Sequence, residues 1–352
     1  MQLSEFDIQP LHIPFKFSFQ HSEASRSVTE TLIVKTKTRK GIQGIGEGCP
    51  RHYVTGENIE SAMTFLGENR NNFLKIGSLT DLECWISENT RAIDQNPAAF
   101  CAMELALLDT LAKTQNVSVE RLVSLPDLTG QFHYSAVLGT ENSKYFHAFL
   151  NRYLQMQMKD FKVKLFGDSG IDSQNLSAIK ACNRTGVRVR LDANNLWGDS
   201  TIALDYLNEL NFPCFALEEP LTKNDYLGMR QISRELDIPV ILDESFTRLQ
   251  QFDLVGADPK TWILNIRISK MGGILRAIKV ADKARNLGIP LIIGAQVGET
   301  SVLTRAALTV ANSFRDILIA QEGAFGTFLL ERDIVNPPIM FGNAGVLDAA
   351  CL

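Results

Sequence analysis

Five short polar clusters carry residue types suited to moving a proton on and off carbon. Lys162-Val163-Lys164 sets two ammonium groups two positions apart, and Asp192-Ala193-Asn194 does the same with a carboxylate and an amide. Glu218-Glu219-Pro220 and Asp243-Glu244-Ser245 pair carboxylates, and Asn265-Ile266-Arg267-Ile268-Ser269-Lys270 ends on a further lysine before Gly272-Gly273. Residues two apart on a strand share a face, so each pair in an extended segment points one way. Asp192 to Glu218, Glu218 to Asp243 and Asp243 to Lys270 are steps of 26, 25 and 27 positions, about one strand-plus-helix unit each. Groups so spaced fall at similar heights on neighbouring strands. Three carboxylates held close repel unless a cation lies among them. With neither Cys nor His in the set, Asp192, Glu218 and Asp243 favour a hard divalent ion, Mg²⁺ before Mn²⁺ or Ca²⁺. Lys164 and Lys270 would face each other across that ion and its ligand. The ion would stabilise the charge formed when a proton leaves the carbon beside a carboxylate. The Lys162 cation and partial burial would lower the pKa of Lys164 towards that of a base, with Lys270 returning a proton on the opposite face.

Taken singly, these clusters have bland explanations. Lys-x-Lys is an ordinary solvated strand end, Asp-x-Asn a turn or cap, Glu-Glu-Pro a strand stop and Asp-Glu-Ser a helix cap. Their common register is what joins them, and the elements needed to hold that register are legible. Tyr134–Leu138, Phe161–Leu165, Val187–Leu191, Cys214–Leu217, Pro239–Leu242, Trp262–Ile266, Pro290–Ile293 and Ile317–Ala320 are short apolar runs separated by amphipathic stretches. Eight strands alternating with helices predict an α/β fold, a (β/α)8-type barrel with its site at the carboxyl ends of the strands. An open doubly wound sheet is the rival, but no Gly-x-Gly-x-x-Gly turn supports its dinucleotide-binding form.

Residues 1–115 read as a separate α+β unit. Ser27 to Thr38 is rich in β-branched residues and runs into glycines at 41, 44 and 46, which predicts an antiparallel meander. Pro97 to Lys113 has Phe100, Met103, Leu105, Leu108 and Leu111 near helical spacing, read as packing surface. The barrel is expected over 116–325. Asn336-Pro337-Pro338 and Gly342-Asn343 break the pattern in a C-terminal segment, 326–352, expected to pack elsewhere and back on the first unit.

The 352 residues are 45% apolar with a net charge of -5, enough for a large core and without the basic stripe of a nucleic-acid or anionic-membrane partner. No apolar run reaches membrane-spanning length and the start lacks signal-peptide build, so a cytoplasmic location is expected. Six scattered cysteines form no Cys-x-x-Cys pair and read as free thiols. All five histidines (12, 21, 52, 133 and 147) lie in the first 147 residues, which disfavours a Ser-His-Asp triad or a His-rich zinc site in the rest.

The five-part set resembles the muconate-lactonizing-enzyme-like subgroup of the enolase superfamily, in which a lysine base works beside Mg²⁺. The resemblance spans nearly the whole chain. It implies that the N-terminal region and the C-terminal tail form a capping domain over the barrel. It also implies one Mg²⁺ on Asp192, Glu218 and Asp243, and Lys164 and Lys270 as the acid/base pair. Lys162 would hold the substrate carboxylate, with Asn194, Glu244 and Asn265 as support. The absence of barrel histidines after strand two fits this subgroup and not the mandelate-racemase branch, which uses a histidine base. Cap loops, here Lys16 to Ser25 and Cys49 to Gly56 with His21, Arg51, His52 and Tyr53, would set specificity. The resemblance further implies a small-molecule carboxylate substrate and a homo-oligomer.

Pro50 to Glu57 looks like the corresponding loop of dipeptide epimerases. Those enzymes typically hold the substrate's α-ammonium with Asp-x-Asp at strand eight, where this chain reads Ala320-Gln321-Glu322-Gly323. Arg267 stands where relatives often have Lys, offering a forked, permanently charged group to a carboxylate. Gln296 and Glu299 follow strand seven near the mouth, with a helix-start role as the alternative for Glu299. Racemisation or epimerisation of a dipeptide or N-acyl amino acid is therefore expected. The alternatives are elimination as in o-succinylbenzoate synthase, muconate-type cycloisomerisation, and a metal-stabilised binding protein without catalysis.

Overall fold

A computed structural model describes residues 1–21, 24–182 and 184–351, with side chains outside 18–25 and 351. Its first part is a meander: β1 (Leu3–Leu11), β4 (Thr31–Thr38) and β5 (Gln43–Gly48) form one antiparallel sheet in the order β1-β4-β5. A separate ribbon pairs β2 (Pro14–His21) with β3 (Ala24–Val28). The expected antiparallel meander forms, and the β-branched stretch from Ser27 to Thr38 is divided between the end of β3 and β4. The break falls at Thr29, whose hydroxyl accepts the Ile13 N–H and donates to the Leu11 carbonyl. Behind the meander lies the helix Pro97–Gln115, buried on nearly every side as its apolar residues require.

The eight predicted strands all form. After β6 (Gln131–His133) come β7 (Ala136–Leu138), β8 (Asp160–Lys164), β9 (Arg188–Asp192), β10 (Leu217–Glu218), β11 (Val240–Leu242), β12 (Trp262–Arg267), β13 (Leu291–Gly294) and β14 (Leu318–Gln321). β7 to β14 make one parallel sheet in strictly sequential order. At its ends the Ser135 N–H donates to the Gln321 carbonyl at 2.7 Å, joining the segment before β7 to the end of β14. Helices on the outside cover the strands, which is why these segments read as continuous apolar runs. After β14 come short 3-10 turns, the first at Gly326–Phe328, and one short strand, but no α-helix among the described residues, so the eighth strand lacks its helix.

Side-chain alternation sorts the barrel interior into levels. Ala216, Ile241, Ile263, Ile292 and Ala320 form an apolar floor. Two residues further along the same strands, on the same face, stand Glu218, Asp243, Asn265, Gly294 and Glu322. Gly294 is required there, since a Cβ would come within 2.2 Å of the Asn265 side-chain oxygen.

The first part is fastened to the barrel through buried glutamates. Glu104, on the long helix, accepts the N–H groups of Ile274 and Leu275 at 2.5 and 3.0 Å. These open the helix Ile274–Leu287, whose own preceding residue, Gly273, has no side chain to cap it. Glu47 accepts from the backbone N–H and hydroxyl of Thr300 (3.0 and 2.7 Å) and from the Leu303 N–H at the start of Ser301–Ser313. The tail divides: Leu329 and Glu331 bond to Lys16 and Pro14, while β15 (Val346–Asp348) pairs with β6. No described helix is long and apolar enough to cross a membrane.

Candidate active site

Lys164, Asp192 and Glu218 are adjacent in strand register, Lys164 opposite Asp192 and Asp192 opposite Glu218. Asp243 follows the end of β11, and Lys270 lies in the short helical turn Ile268–Met271 just beyond β12. Five consecutive strands therefore carry lysine, acid, acid, acid and lysine, and the two lysine strands, β8 and β12, stand four strands apart in a ring of eight. All five side chains are buried.

Lys162 is the hub of one half. Its ammonium lies 3.0 Å from Asp192, 2.9 Å from Glu218 and 3.4 Å from Glu322. Burial alone would lower its pKa, but those three carboxylates outweigh it and hold the ammonium charged. Burial lowers Lys164 to about 8, with Asp192 opposing and the Lys162 cation adding to the fall. Burial, complete rather than partial, is thus the larger cause, and the Lys162 cation ranks below it. The stem of Lys164 passes over Gly139, where a Cβ would come within 2.7 Å of its Cδ.

The other half centres on Asp243. Lys270 donates to Asp243 Oδ1, to the Asp243 carbonyl and to the Asn265 carbonyl, each at 2.7 Å. Arg267 donates to Asp243 Oδ2 and, at 2.7 Å, to the Gln296 side-chain oxygen. Burial and then the Arg267 charge bring Lys270 well below the ordinary lysine range. Asn265 donates to Glu218 at 3.0 Å, and the Asn194 backbone N–H donates to Asp192 at 3.0 Å. Glu244 is buried with its carboxyl raised to about 8, first by burial and then by the charge of Glu219.

The donor chemistry suits a hard cation. Glu218 Oε2 and both oxygens of Glu244 are buried without a hydrogen-bond partner, and no sulfur or imidazole stands among them. Among the described residues no three acidic, Cys or His side chains already converge as a ligand set. Asp192 and Glu218 turn to Lys162, and Asp243 to Arg267 and Lys270.

Above the lysines a cavity of about 70 Å³ is lined by Lys162, Lys164, Asp192, Asn194, Arg267, Glu299, Glu322 and Tyr53, among others. Glu299 accepts the Gln296 N–H at 2.7 Å, and burial raises its carboxyl to about 8. The helix-start role belongs instead to Thr300 and Glu47. Arg51 does not line the cavity. Its guanidinium is buried and donates to the carbonyls of Glu30, Pro50 and Val297, so it braces loops instead of meeting a ligand. The side chain of His21 lies outside the described residues.

Two supports escaped the sequence reading. Glu219 accepts from the N–H groups of Asp243 and Ser245 and from the Ser245 hydroxyl, each at 2.7 Å, and so fixes the loop bearing Asp243. Arg190, fully buried, donates to Glu322 at 2.7 Å, Asp160 at 2.7 Å and Ser135 at 3.1 Å. The adjacent glutamate in Glu-Glu-Pro and the alternation Arg188-x-Arg190-x-Asp192 were the available signals.

The chain matches two family descriptions: "Mandelate racemase / muconate lactonizing enzyme, N-terminal domain" over residues 6–124, and "Enolase C-terminal domain-like" over 146–347. It is 28% identical to the N-succinyl-L-Arg/Lys racemase of Bacillus cereus, covering 96% of this chain and 90% of that protein. It superposes on a substrate-liganded L-Ala-D/L-Glu epimerase from Bacillus subtilis with a TM-score of 0.88 at 21% identity, covering 99% of this chain and 96% of that one. A dipeptide epimerase from Enterococcus faecalis complexed with Mg and the dipeptide L-Leu-L-Tyr gives a TM-score of 0.85 at 21% identity, covering 99% and 97%.

Proposed function

Because the chain belongs to the mandelate racemase / muconate lactonizing enzyme family of the enolase superfamily, we propose that it moves the α-proton of a small carboxylate, racemising or epimerising a dipeptide or N-acyl amino acid. The observation that carries this reading is the arc of strands in which Lys164 and Lys270, both with depressed pKa, flank three buried acids. A lysine must be neutral to accept a proton and charged to return it, and burial brings both ammonium groups towards that balance. With one lysine on each side of the α-carbon, either can remove the proton and the other can deliver one to the opposite face.

Asp192, Glu218 and Asp243 would hold a Mg²⁺ ion, which when bound supplies positive charge to the substrate carboxylate as its α-carbon loses the proton. For Asp243 to serve, its oxygens must give up part of their bonding to Arg267 and Lys270. That exchange would also release one of the three hydrogen bonds of the Lys270 ammonium, leaving those to the Asp243 and Asn265 carbonyls. Arg267, braced by Gln296, is then placed to meet the substrate carboxylate, and Lys162 remains a fixed cation beside it.

The test is proton–deuterium exchange followed by NMR, with Mg²⁺ in D₂O, over L,L-dipeptides and N-acyl amino acids. Label entering the α-carbon of both isomers supports the reading. Silence across the panel, with Mg²⁺ bound, rejects it in favour of elimination or cycloisomerisation of another acid.

A further inference from the structure

Beside the inner cavity lies a second, larger chamber of about 580 Å³, and the two share Val137, Phe325 and Leu329 as common wall. The chamber is aromatic: Phe17, Tyr145, Phe149, Tyr153 and Phe325 line it, and the Phe17 and Phe149 rings pack with centroids 5.1 Å apart. Among its described lining residues the only charged side chain is Lys16, whose ammonium donates to the Thr327 carbonyl at 2.5 Å. No carboxylate is among those described lining residues.

Three carboxyls line the inner cavity, Asp192, Glu299 and Glu322. Glu299 accepts the Gln296 N–H at 2.7 Å and burial raises it to about 8, so it brings no negative charge at neutral pH, and the other two are paired. Glu322 has one oxygen on Arg190 at 2.7 Å and the other on Lys162 at 3.4 Å. Arg190 is itself locked in place by Asp160 and Ser135, so Glu322 cannot turn outwards without stranding a buried guanidinium. Its carboxylate, pulled down to about 2 by Lys162 and Arg190 against the effect of burial, is ionised but already neutralised. Asp192 pairs with Lys162, and Asp243, below, with Arg267 and Lys270. A substrate ammonium would add a cation to a cavity already lined by Lys162, Lys164 and Arg267, with its desolvation uncompensated.

We propose that the substrate's nitrogen is acylated and carries no free ammonium, and that the aromatic chamber is the subsite for a bulky, uncharged acyl group. The inner cavity has room for the reacting centre and little more, so whatever reaches the chamber must extend several bonds from the α-carbon. The planar amide of an N-acyl substrate supplies that extension past Val137, Phe325 and Leu329. Aromatic walls then reward an apolar or aromatic group by area buried and by ring contacts.

This rests on the proton-transfer reading, and the experiment separates the two. N-propionyl-L-phenylalanine and L-alanyl-L-phenylalanine differ only in the ammonium group of the second. Their α-exchange rates, measured with Mg²⁺ in D₂O, are expected to differ by at least about tenfold in kcat/KM in favour of the propionyl compound. Equal rates, or a faster dipeptide, overturn the inference while leaving proton transfer standing. No exchange with any member of a wider acid panel defeats the proton-transfer reading itself. The chamber is tested by Phe149→Ala, which is expected to lower the ratio of kcat/KM for N-benzoyl-L-alanine over N-acetyl-L-alanine by about tenfold, chiefly through KM. An unchanged ratio, or a shift that follows the amino-acid side chain instead of the acyl group, overturns the assignment of the chamber. Tyr153→Ala provides the same ratio should Phe149→Ala fail to fold.

Discussion

Glu104 accepts the backbone N–H of Ile274 at 2.5 Å, so a residue of the capping helix holds the chain four positions beyond Lys270. The cap thus grips the loop of one lysine directly. The neighbouring bond from the Cys49 N–H to the Ser269 hydroxyl, 2.8 Å, acts on the same turn. Lys164 instead sits within a strand flanked by β7 and β9. Glu104→Gln leaves one oxygen to serve two N–H groups. It should cost about 1–3 kcal/mol in chemical denaturation and slow exchange from the enantiomer that depends on Lys270 more than from the other. Equal slowing of both enantiomers would leave Glu104 with a purely structural role.

The two-lysine arrangement makes a sharper prediction. Lys164→Ala and Lys270→Ala should each reduce racemisation by about 10²–10⁴-fold, the usual worth of a positioned acid or base. Each variant should still exchange the α-proton of one enantiomer, a different one in each case. Normal exchange of both enantiomers in both variants rules out the scheme.

In the Lys270→Ala protein only Lys164 remains to accept a proton, so the pH profile of its residual exchange reports Lys164. Its pKa is lowered to about 8, chiefly by burial, and the neutral, basic form grows as pH rises. Exchange should therefore climb between pH 7 and 9 and level off above. A profile flat across that range would show that Lys164 is not the base, or is not buried as described.

Much of this was legible from residue order. Short apolar runs spaced by helices located all eight barrel strands, because a parallel sheet covered on both faces needs unbroken apolar segments. The clusters at their ends placed Lys164, Asp192, Glu218 and Asp243 because period-two alternation carries a side chain into the barrel wherever its strand neighbour two back does so, whereas Lys270 comes in from the helical turn Ile268–Met271 beyond its strand. What stayed hidden depends on who the partner is. Arg190 has the look of a strand-end cation, yet it is fully buried and neutralises Glu322, 132 positions away. Arg51 sits in a loop expected to touch substrate, but its donors meet backbone carbonyls, which carry no sequence signature. Glu104 and Glu47 lie in segments that read as packing surface and a glycine-rich turn, and the helix ends that they satisfy belong to the barrel.

Buried cap glutamates also set a pH dependence of stability. Glu57 accepts the N–H groups of Ala98 and Ala99 at 2.9 and 3.0 Å, and burial raises its carboxyl from 4.5 to about 7. The folded protein therefore binds a proton that the unfolded chain has released. The stabilisation is complete below about 4.5 and is lost as pH rises through about 7. Urea denaturation at pH 5 and pH 8 should show a larger gap between the wild type and Glu57→Gln at the lower pH. A gap independent of pH would place this carboxyl at its ordinary value.

Metal binding supplies the remaining test of the acid arc. Asp243→Asn keeps the shape of the side chain and removes its charge, so the pairing with Arg267 and Lys270 weakens together with any hold on a cation. Isothermal titration with Mg²⁺ should show affinity reduced by more than the roughly 10–100-fold typical of groups that act only through a ligand. Glu244→Gln, by contrast, alters a carboxyl that is already raised to about 8 and should weaken binding less. Unchanged Mg²⁺ affinity in Asp243→Asn would remove Asp243 from the metal site. Its two cationic partners would then be its sole purpose, as an anchor holding Lys270 in place.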